Sequence, residues 1–153
     1  MIIGVDPGAS GGITWESAGE LWVEHMPTYP LDLREFFHQR SRQAMRNKEK
    51  VLIYSEKLSG VMPGNASGSV AKFSRHLGHL DMAFLGQEHH FVAPVVWMKK
   101  VVPDRSRDKQ ERKRQIKEKM QELYPDIKVT LWNADALGIM HYGKMVSNET
   151  GTS

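Results

Sequence analysis

The chain has 153 residues and a mass of 17.4 kDa, which suits one domain with a hydrophobic core and is too little for two. Its hydrophobic content of 40% is ordinary for a soluble globular protein, no apolar run approaches the roughly 20 residues that cross a bilayer, and no secretory signal opens the sequence. The lack of cysteine excludes disulfides and thiolate metal sites and fits the cytoplasm, while a net charge of +3 and a pI near 9.2 favour an anionic partner.

The first stretch combines a buried-strand pattern with an acid. Residues 2–5 form a mostly β-branched apolar run, and Asp6 stands where that run ends. A Pro-Gly pair then turns the chain, and Gly11 and Gly12 allow the backbone to approach a ligand closely. A buried carboxylate is costly unless it is paired or binds a metal. The stretch therefore indicates either an acid held at a strand end, facing a phosphate or a cation, or a hairpin in which Asp6 only caps the turn.

The rest of the sequence predicts an antiparallel meander followed by alternating strands and helices. Two short antiparallel strands are predicted over 12–16 and 20–25, around a tight Ser-Ala-Gly turn. The later predicted elements are a helix over 31–46, a strand over 51–54, a helix over 65–85, a strand at 91–92, and helices over 94–101, 109–124 and 133–145. We expect a single α/β domain over residues 1–146 and a polar, frayed tail over 147–153.

Three acids stand at the ends of apolar elements, where a solvated acid has no need to be. Asp6 and Glu56 end predicted strands, and Asp135 lies near the start of the last helix. Strand-end groups of an open α/β sheet meet at one edge, and three carboxylates there suit Mg²⁺ or Mn²⁺. Two such ions about 3.5–4 Å apart stabilise an in-line phosphoryl displacement. Taken alone, Asp135 also fits the general preference of acids for a first helical turn.

Basic residues concentrate between Lys99 and Lys119, with ten Lys or Arg against four acids. That local excess is large enough to attract a polyanion, whereas a merely solvated helix face has more balanced signs. The seven histidines show no H-E-x-x-H spacing, and no Gly-Lys-Ser follows the first glycines. A histidine metal site and a Walker A nucleotide loop are therefore disfavoured.

Five segments, in order from Ile2 to about Gly143, carry a specific combination of motifs: GVDPGASGG, YSEKL, VMPGNASGSVAKFSRHLG, PVVWMKK and ADALGIMHYG. Together they resemble the RuvC-like Holliday junction resolvases, most closely the phage-encoded and plastid branch. The resemblance implies a ribonuclease H-like fold, in which a mixed sheet of five strands (an antiparallel meander plus parallel strands) has helices on both faces. It also implies a homodimeric, Mg²⁺-dependent endonuclease, in the bacterial host cytoplasm if phage-encoded, with no membrane partner. Its expected substrates are four-way DNA junctions and, more widely, other branched DNA, cut by paired phosphodiester hydrolysis.

The resemblance also assigns roles to residues by motif match. Asp6, Glu56 and Asp135 are implied to bind the metal, two Mg²⁺ per active site with Mn²⁺ as a substitute. The family places a lysine near the scissile phosphate. Lys109 matches that lysine best, while one extra helical turn before the end of the basic helix leaves Lys113 as an alternative.

One family feature is missing. The family usually has a further acid three or four residues before the last one, and here Trp132 and Leu131 occupy those positions. Either Asn133, Thr130 or a water replaces the ligand, or one metal ion is held weakly. Of these we expect Asn133 as a metal ligand, although an amide contributes no charge.

The expected DNA contacts lie on the basic helix, on the segments before it, and around the second acid. The loop over 58–69 is expected to reach the crossover of a junction. Dimerisation is expected through the helix over 65–85, helped by Phe36 and Phe37 if these are not core. The residues expected to bind DNA are Lys57, Asn65, Ser67, Lys72, Arg75, Lys99, Lys100, Arg105, Arg107, Arg112 and Lys113.

Two other hypotheses follow from the same residues. A branched-DNA binding protein on the same fold, without catalysis, would result if activity were lost with the fourth acid. Cleavage that depends on Mg²⁺ separates it from a nuclease, because binding alone needs no metal. An actin-like nucleotide site is disfavoured, since the chain is less than half as long as two such lobes require.

Overall fold

The computed structural model describes residues 1–57 and 67–150. The strands are β1 (Ile2–Val5), β2 (Gly12–Ser17), β3 (Glu20–His25), β4 (Leu52–Glu56) and β5 (Glu88–Val92), and the helices are α1 (Pro30–Asn47), α2 (Ser67–Ala83), α3 (Pro94–Val101), α4 (Lys109–Leu123) and α5 (Ala134–Thr150). The strand order is β3-β2-β1-β4-β5. β1 pairs antiparallel with β2 and parallel with β4, so the predicted combination of meander and parallel strands is confirmed. Among the described residues, no helix is both long and apolar enough to cross a membrane.

The inner strands β1, β2 and β4 are largely buried, and each face of the sheet has its own core. Ile3 and Val5 of β1 pack in the layer formed by α1 and α2, which includes Phe37 and Leu80. Ile2, which precedes them, contacts the opposite layer, in which α3, α4 and α5 meet the sheet. Successive residues of a strand point to opposite faces of the sheet, so the side chains of β1 enter the two layers in turn.

Local signals set where several helices begin. Pro30 and Pro94 occupy the first turns of α1 and α3. Proline lacks a backbone N–H, but in the first turn that group would have no partner within the helix. Asp108 caps α4, and its Oδ1 accepts a hydrogen bond of 2.8 Å from the backbone N–H of Glu111. This cap defines the first turn of the basic helix.

Two predicted boundaries are wrong for identifiable reasons. β5 begins at Glu88 rather than at residue 91. The prediction missed this start because β5 is an edge strand whose exposed residues carry no apolar pattern. α5 continues to Thr150, so residues 147–150 are helix and not a frayed tail. Ser147 lies within 3.3 Å of the Tyr54 hydroxyl, and Glu149 forms an ion pair with Lys100. These contacts hold the polar end of the helix.

The structure describes α2 from residue 67, and the predicted start at residue 65 lies outside the described residues. Phe36 and Phe37 are both buried in the core, so the condition under which they would help dimerisation is not met.

Candidate active site

Strand register places two of the three acids side by side. Gly4 of β1 pairs with Tyr54 of β4, and two residues later on the same face come Asp6 and Glu56. Asp6 is still tied to the sheet, since its backbone N–H donates to the Gly12 carbonyl at 3.0 Å. Neighbouring strands are about 4.8 Å apart. The two carboxylates therefore leave adjacent strands at the same edge, on the face that α5 covers.

The first turn of α5 brings Asp135 to that edge. The helix crosses β1 at Gly4 so closely that a Cβ there would come within 2.4 Å of the Ala136 carbonyl oxygen. The buried hydroxyl of Thr14 donates to the same carbonyl at 2.9 Å. A glycine on one strand and a threonine on its neighbour thus fix the start of α5 beside the carboxyl end of β1.

The three acids interact electrostatically. Burial, together with the charges of Asp135 and Glu56, raises the pKa of Asp6 to about 7. Burial also raises the pKa of Glu56 and the pKa of Asp135. Each like charge makes ionisation of its neighbour less favourable. The cluster is therefore a site of excess negative potential that a cation would relieve.

Lys113 supplies the opposing charge. Its ammonium group opposes the rise in the pKa of Asp6, Glu56 and Asp135, and Arg112 opposes the rise in the pKa of Asp135 as well. Lys109, the first residue of α4, lies one helical turn earlier. Of the two lysines that the sequence left open, Lys113 is the one whose charge acts on all three acids.

A tryptophan orients Glu56. The Trp97 indole Nε1 of α3 donates to Glu56 Oε2 at 2.8 Å, and the Trp97 side chain is fully buried. Gly138 of α5 makes room for the ring, since a Cβ there would come within 2.6 Å of Trp97 Cζ3. Trp97 lies in one of the family-like motifs, but no spacing in the sequence connects it to Glu56.

The donor set fits a divalent cation in an open site. Carboxylate oxygens are the preferred ligands of Mg²⁺, and the mutual repulsion of these three acids favours a bound cation. Across residues 1–57 and 67–150, however, no group of three or more acidic or histidine side chains has the geometry to hold one metal ion. Mg²⁺ in phosphoryl-transfer sites is usually held by one or two carboxylates, with waters and substrate phosphate as the other ligands. Asp6, Glu56 and Asp135 are the residues that would hold such an ion, two at a time.

Asn133 does not take the place of the missing acid in this arrangement. Its side chain is 3% exposed, its Oδ1 accepts from the Thr130 backbone N–H at 2.8 Å, and its Nδ2 donates to the Lys128 carbonyl at 3.1 Å. Both ends of the amide are bound to the chain just before α5. The reason is local, because a short polar side chain at a helix start satisfies backbone groups. We therefore correct the sequence expectation and assign Asn133 a structural role.

Trp132 occupies the position expected for that acid. Its ring stacks on His25 at the end of β3, with ring centroids 3.7 Å apart and an interplanar angle of 20°. The stack rests beside Gly12, where a Cβ would come within 3.1 Å of Trp132 Cζ3. The sequence carries no signal for this pair, since a stack between residues this far apart depends on the fold.

The residues expected to bind DNA divide into three groups. Asn65 lies outside the described residues, and Ser67 begins α2. Two of the others have protein partners, since Lys100 pairs with Glu149, and Arg112 donates to the backbone carbonyls of Ser106 and Arg107. Exposed or half-buried side chains make up the third group: Lys57, Lys72, Arg75, Lys99, Arg105, Arg107 and Lys113.

Two solved structures share this fold. RuvC of Thermus thermophilus in complex with a Holliday junction substrate is 14% identical, with 97% of this chain and 94% of that chain covered and a TM-score of 0.61. A second Thermus thermophilus RuvC structure is 16% identical, with 97% and 96% covered and a TM-score of 0.58. No family model matches the chain, and no curated protein matches it in sequence. The likeness confirms the ribonuclease H-like fold, while the resemblance to the phage and plastid branch stays a prediction.

Proposed function

We propose that this protein is a Mg²⁺-dependent endonuclease that resolves four-way DNA junctions and accepts other branched DNA. The observation that carries the proposal is the placement of Asp6, Glu56 and Asp135 at one sheet edge, within the electrostatic range of Lys113. Metal-dependent hydrolysis of a phosphodiester uses a negatively charged pocket for cations, and a positive group beside it helps to hold the phosphate. Both are present, and the shared fold of a RuvC bound to a Holliday junction substrate gives further support.

A divalent cation bound here would stabilise the charge that develops on the phosphate and lower the pKa of a bound water. The chain's residues do the positioning. Lys113 attracts the scissile phosphate towards the acids, and the indole of Trp97 holds Glu56 in one orientation. Water attacks phosphorus, the bond from phosphorus to the 3′ oxygen breaks, and that oxygen takes up a proton. The products carry 5′-phosphate and 3′-hydroxyl ends.

Three formal negative charges compensate two divalent cations less well than four would. Two of the three acids at a time would therefore hold one ion, and a second ion would bind more weakly and come largely with the DNA phosphate. Trp132 stands where a fourth acid was expected, and its indole carries no charge. We expect activity to need several-fold more Mg²⁺ than in a four-acid relative, and Mn²⁺ to support it at lower concentration.

Paired cuts call for two sites related by a two-fold axis, so we also propose a homodimer. Leu31 at the start of α1, Met82 near the end of α2, and Leu85 just after it are 74%, 67% and 67% exposed. They line a groove of about 620 Å³ between the two helices. These three apolar side chains would pack against a second copy, and polar side chains such as Arg34 and Gln87 line the rest of the groove.

The proposal is tested with an end-labelled four-way junction incubated with Mg²⁺, Mn²⁺, Ca²⁺ or EDTA. We expect paired incisions with Mg²⁺ and Mn²⁺ and none with EDTA. Glu56→Gln should abolish cleavage and leave binding of the junction intact. Glu20→Gln, at the exposed opposite end of the sheet, is the matched control and should cleave normally.

Two outcomes would contradict the nuclease. Tight binding of the junction without cleavage in any divalent metal would leave a branched-DNA binding protein. An equal loss of binding and cleavage in Glu56→Gln would mean that this acid serves the structure and not the chemistry.

A further inference from the structure

An aromatic pair stands at the same sheet edge as the acids without a role in the proposed chemistry. His25 is the last residue of β3, and in the sheet it lies opposite Gly12, the first residue of β2. The Gly12 carbonyl in turn accepts the backbone N–H of Asp6. His25 and Trp132 stack with centroids 3.7 Å apart and nearly parallel rings. The pair is therefore separated from the Asp6 backbone by a single strand.

Trp132 connects the pair to the third acid as well. It comes three residues before Asp135, which lies in the first turn of α5. Its ring also lies against Gly12, where any side chain would crowd it. The stack is thus held from β2, from β3 and from the segment that leads into α5. A surface held from three sides is preorganised, so little entropy is lost when a ligand binds to it.

The exposed member of the pair is His25, while Trp132 is half-buried and the neighbouring Leu131 is 60% exposed. A third flat ring would therefore add to the stack on the His25 side. The charges of Lys113 and Arg112 act on Asp135 at the adjacent site. Under the proposed function, Lys113 would attract a DNA phosphate there and so bring the bases of that strand close to the pair. Every nucleobase has a π-face, and aromatic side chains bind such faces with little regard to sequence.

We infer that His25 and Trp132 form a stacking platform for one unpaired base of the DNA strand that enters the acid site. The inference rests on the proposed function for the identity of the strand, and it adds a base-binding subsite to that site. Trp132 stands where a metal ligand was expected, and it contributes to substrate positioning instead. The base that stacks belongs to a nucleotide next to the cleaved phosphate, because the platform is one strand away from Asp6.

Stacking and phosphate contacts differ in their dependence on salt, and this difference allows a clean test. Binding is measured in Ca²⁺ or EDTA, so that no DNA is cut, with a single-stranded oligonucleotide and a four-way junction that each carry 2-aminopurine. We expect His25→Ala and Trp132→Ala to weaken binding by about 5- to 100-fold, with an unchanged slope of affinity against salt concentration. Lys113→Ala should instead reduce that slope by about one.

Conservative variants and a remote histidine separate a platform from a merely structural role. His25→Phe keeps a flat ring and should restore affinity, whereas His89→Ala, at an exposed histidine of the edge strand β5, should bind like the wild type. The 2-aminopurine signal should change on binding to the wild type and to His25→Phe, and not to His25→Ala.

Unchanged binding and an unchanged 2-aminopurine signal in folded His25→Ala would overturn the inference. Circular dichroism identifies a variant that fails to fold, and His25→Ala carries the test if Trp132→Ala does not fold. The test can refute the stacking platform and the nuclease activity independently of each other. If the wild type binds DNA with stacking but never cuts, the platform stands and the nuclease does not.

Discussion

Replacing Asp6 with asparagine tests the electrostatic account of the site through the stability of the metal-free protein. Burial and two neighbouring acids raise the pKa of this carboxyl from the ordinary 3.8 to about 7. An acid with a raised folded pKa binds its proton more tightly in the folded state than in the unfolded chain. Its contribution to stability is therefore fully present below pH 4 and is lost as the pH rises to 7.

The difference between 3.8 and about 7 corresponds to about 4 kcal/mol when Asp6 is ionised in the folded protein. Asparagine removes the charge but leaves a buried amide that needs hydrogen-bond partners. We therefore expect Asp6→Asn to be more stable than the wild type at pH 8 by about 1–3 kcal/mol, which is roughly 3–10 °C for a domain of this size. At pH 5 most of the difference should vanish, because the wild-type carboxyl is then protonated.

Thermal unfolding at pH 5 and pH 8, with and without Mg²⁺, measures these effects. At pH 8, Mg²⁺ should stabilise the wild type and should stabilise Asp6→Asn much less, since the cation relieves the same repulsion. Asp81→Asn, at an exposed acid of α2, is the control and should behave as the wild type. A loss of stability in Asp6→Asn that is equal at both pH values would refute the reasoning and would make Asp6 a structural partner.

Three further perturbations test other parts of the site. Lys113→Ala should lower the cleavage rate by about 100-fold, since it removes the positive charge that acts on all three acids, and Lys109→Ala should lower it by less than about fivefold; the reverse order in single-turnover assays would reassign the lysine. Gly138→Ala should cost about 1–3 kcal/mol of stability in urea unfolding and should also slow cleavage, because the added methyl displaces Trp97 and with it Glu56; slowed cleavage with normal stability would argue against displacement. Met82→Glu should convert a dimer into a species of 17.4 kDa in light scattering and leave single nicks in place of paired cuts, and a wild type that is monomeric at micromolar concentration would contradict the dimer.

The sequence alone determined the class of the fold and the three acids. Apolar runs of period two and helical stripes are local patterns, and so are acids placed where such runs end. Alternation then implies that Asp6 and Glu56 lie on one face of the sheet. The sequence predicted the limits of exposed elements less accurately. Glu88 begins a strand without any apolar pattern, and residues 147–150 are helical because of contacts that no local pattern reports.

Only the tertiary structure decided which residues surround those acids. Lys109 and Lys113 differ by one helical turn, and the packing of α4 on α5 determines which charge reaches the acids. Asn133 has the right chemistry for a ligand, but backbone groups before α5 occupy both ends of its amide. The contacts of Trp97 and Trp132 join residues more than 40 positions apart. Such contacts depend on strand register and on how closely α5 approaches the sheet, and neither quantity is encoded in any single segment.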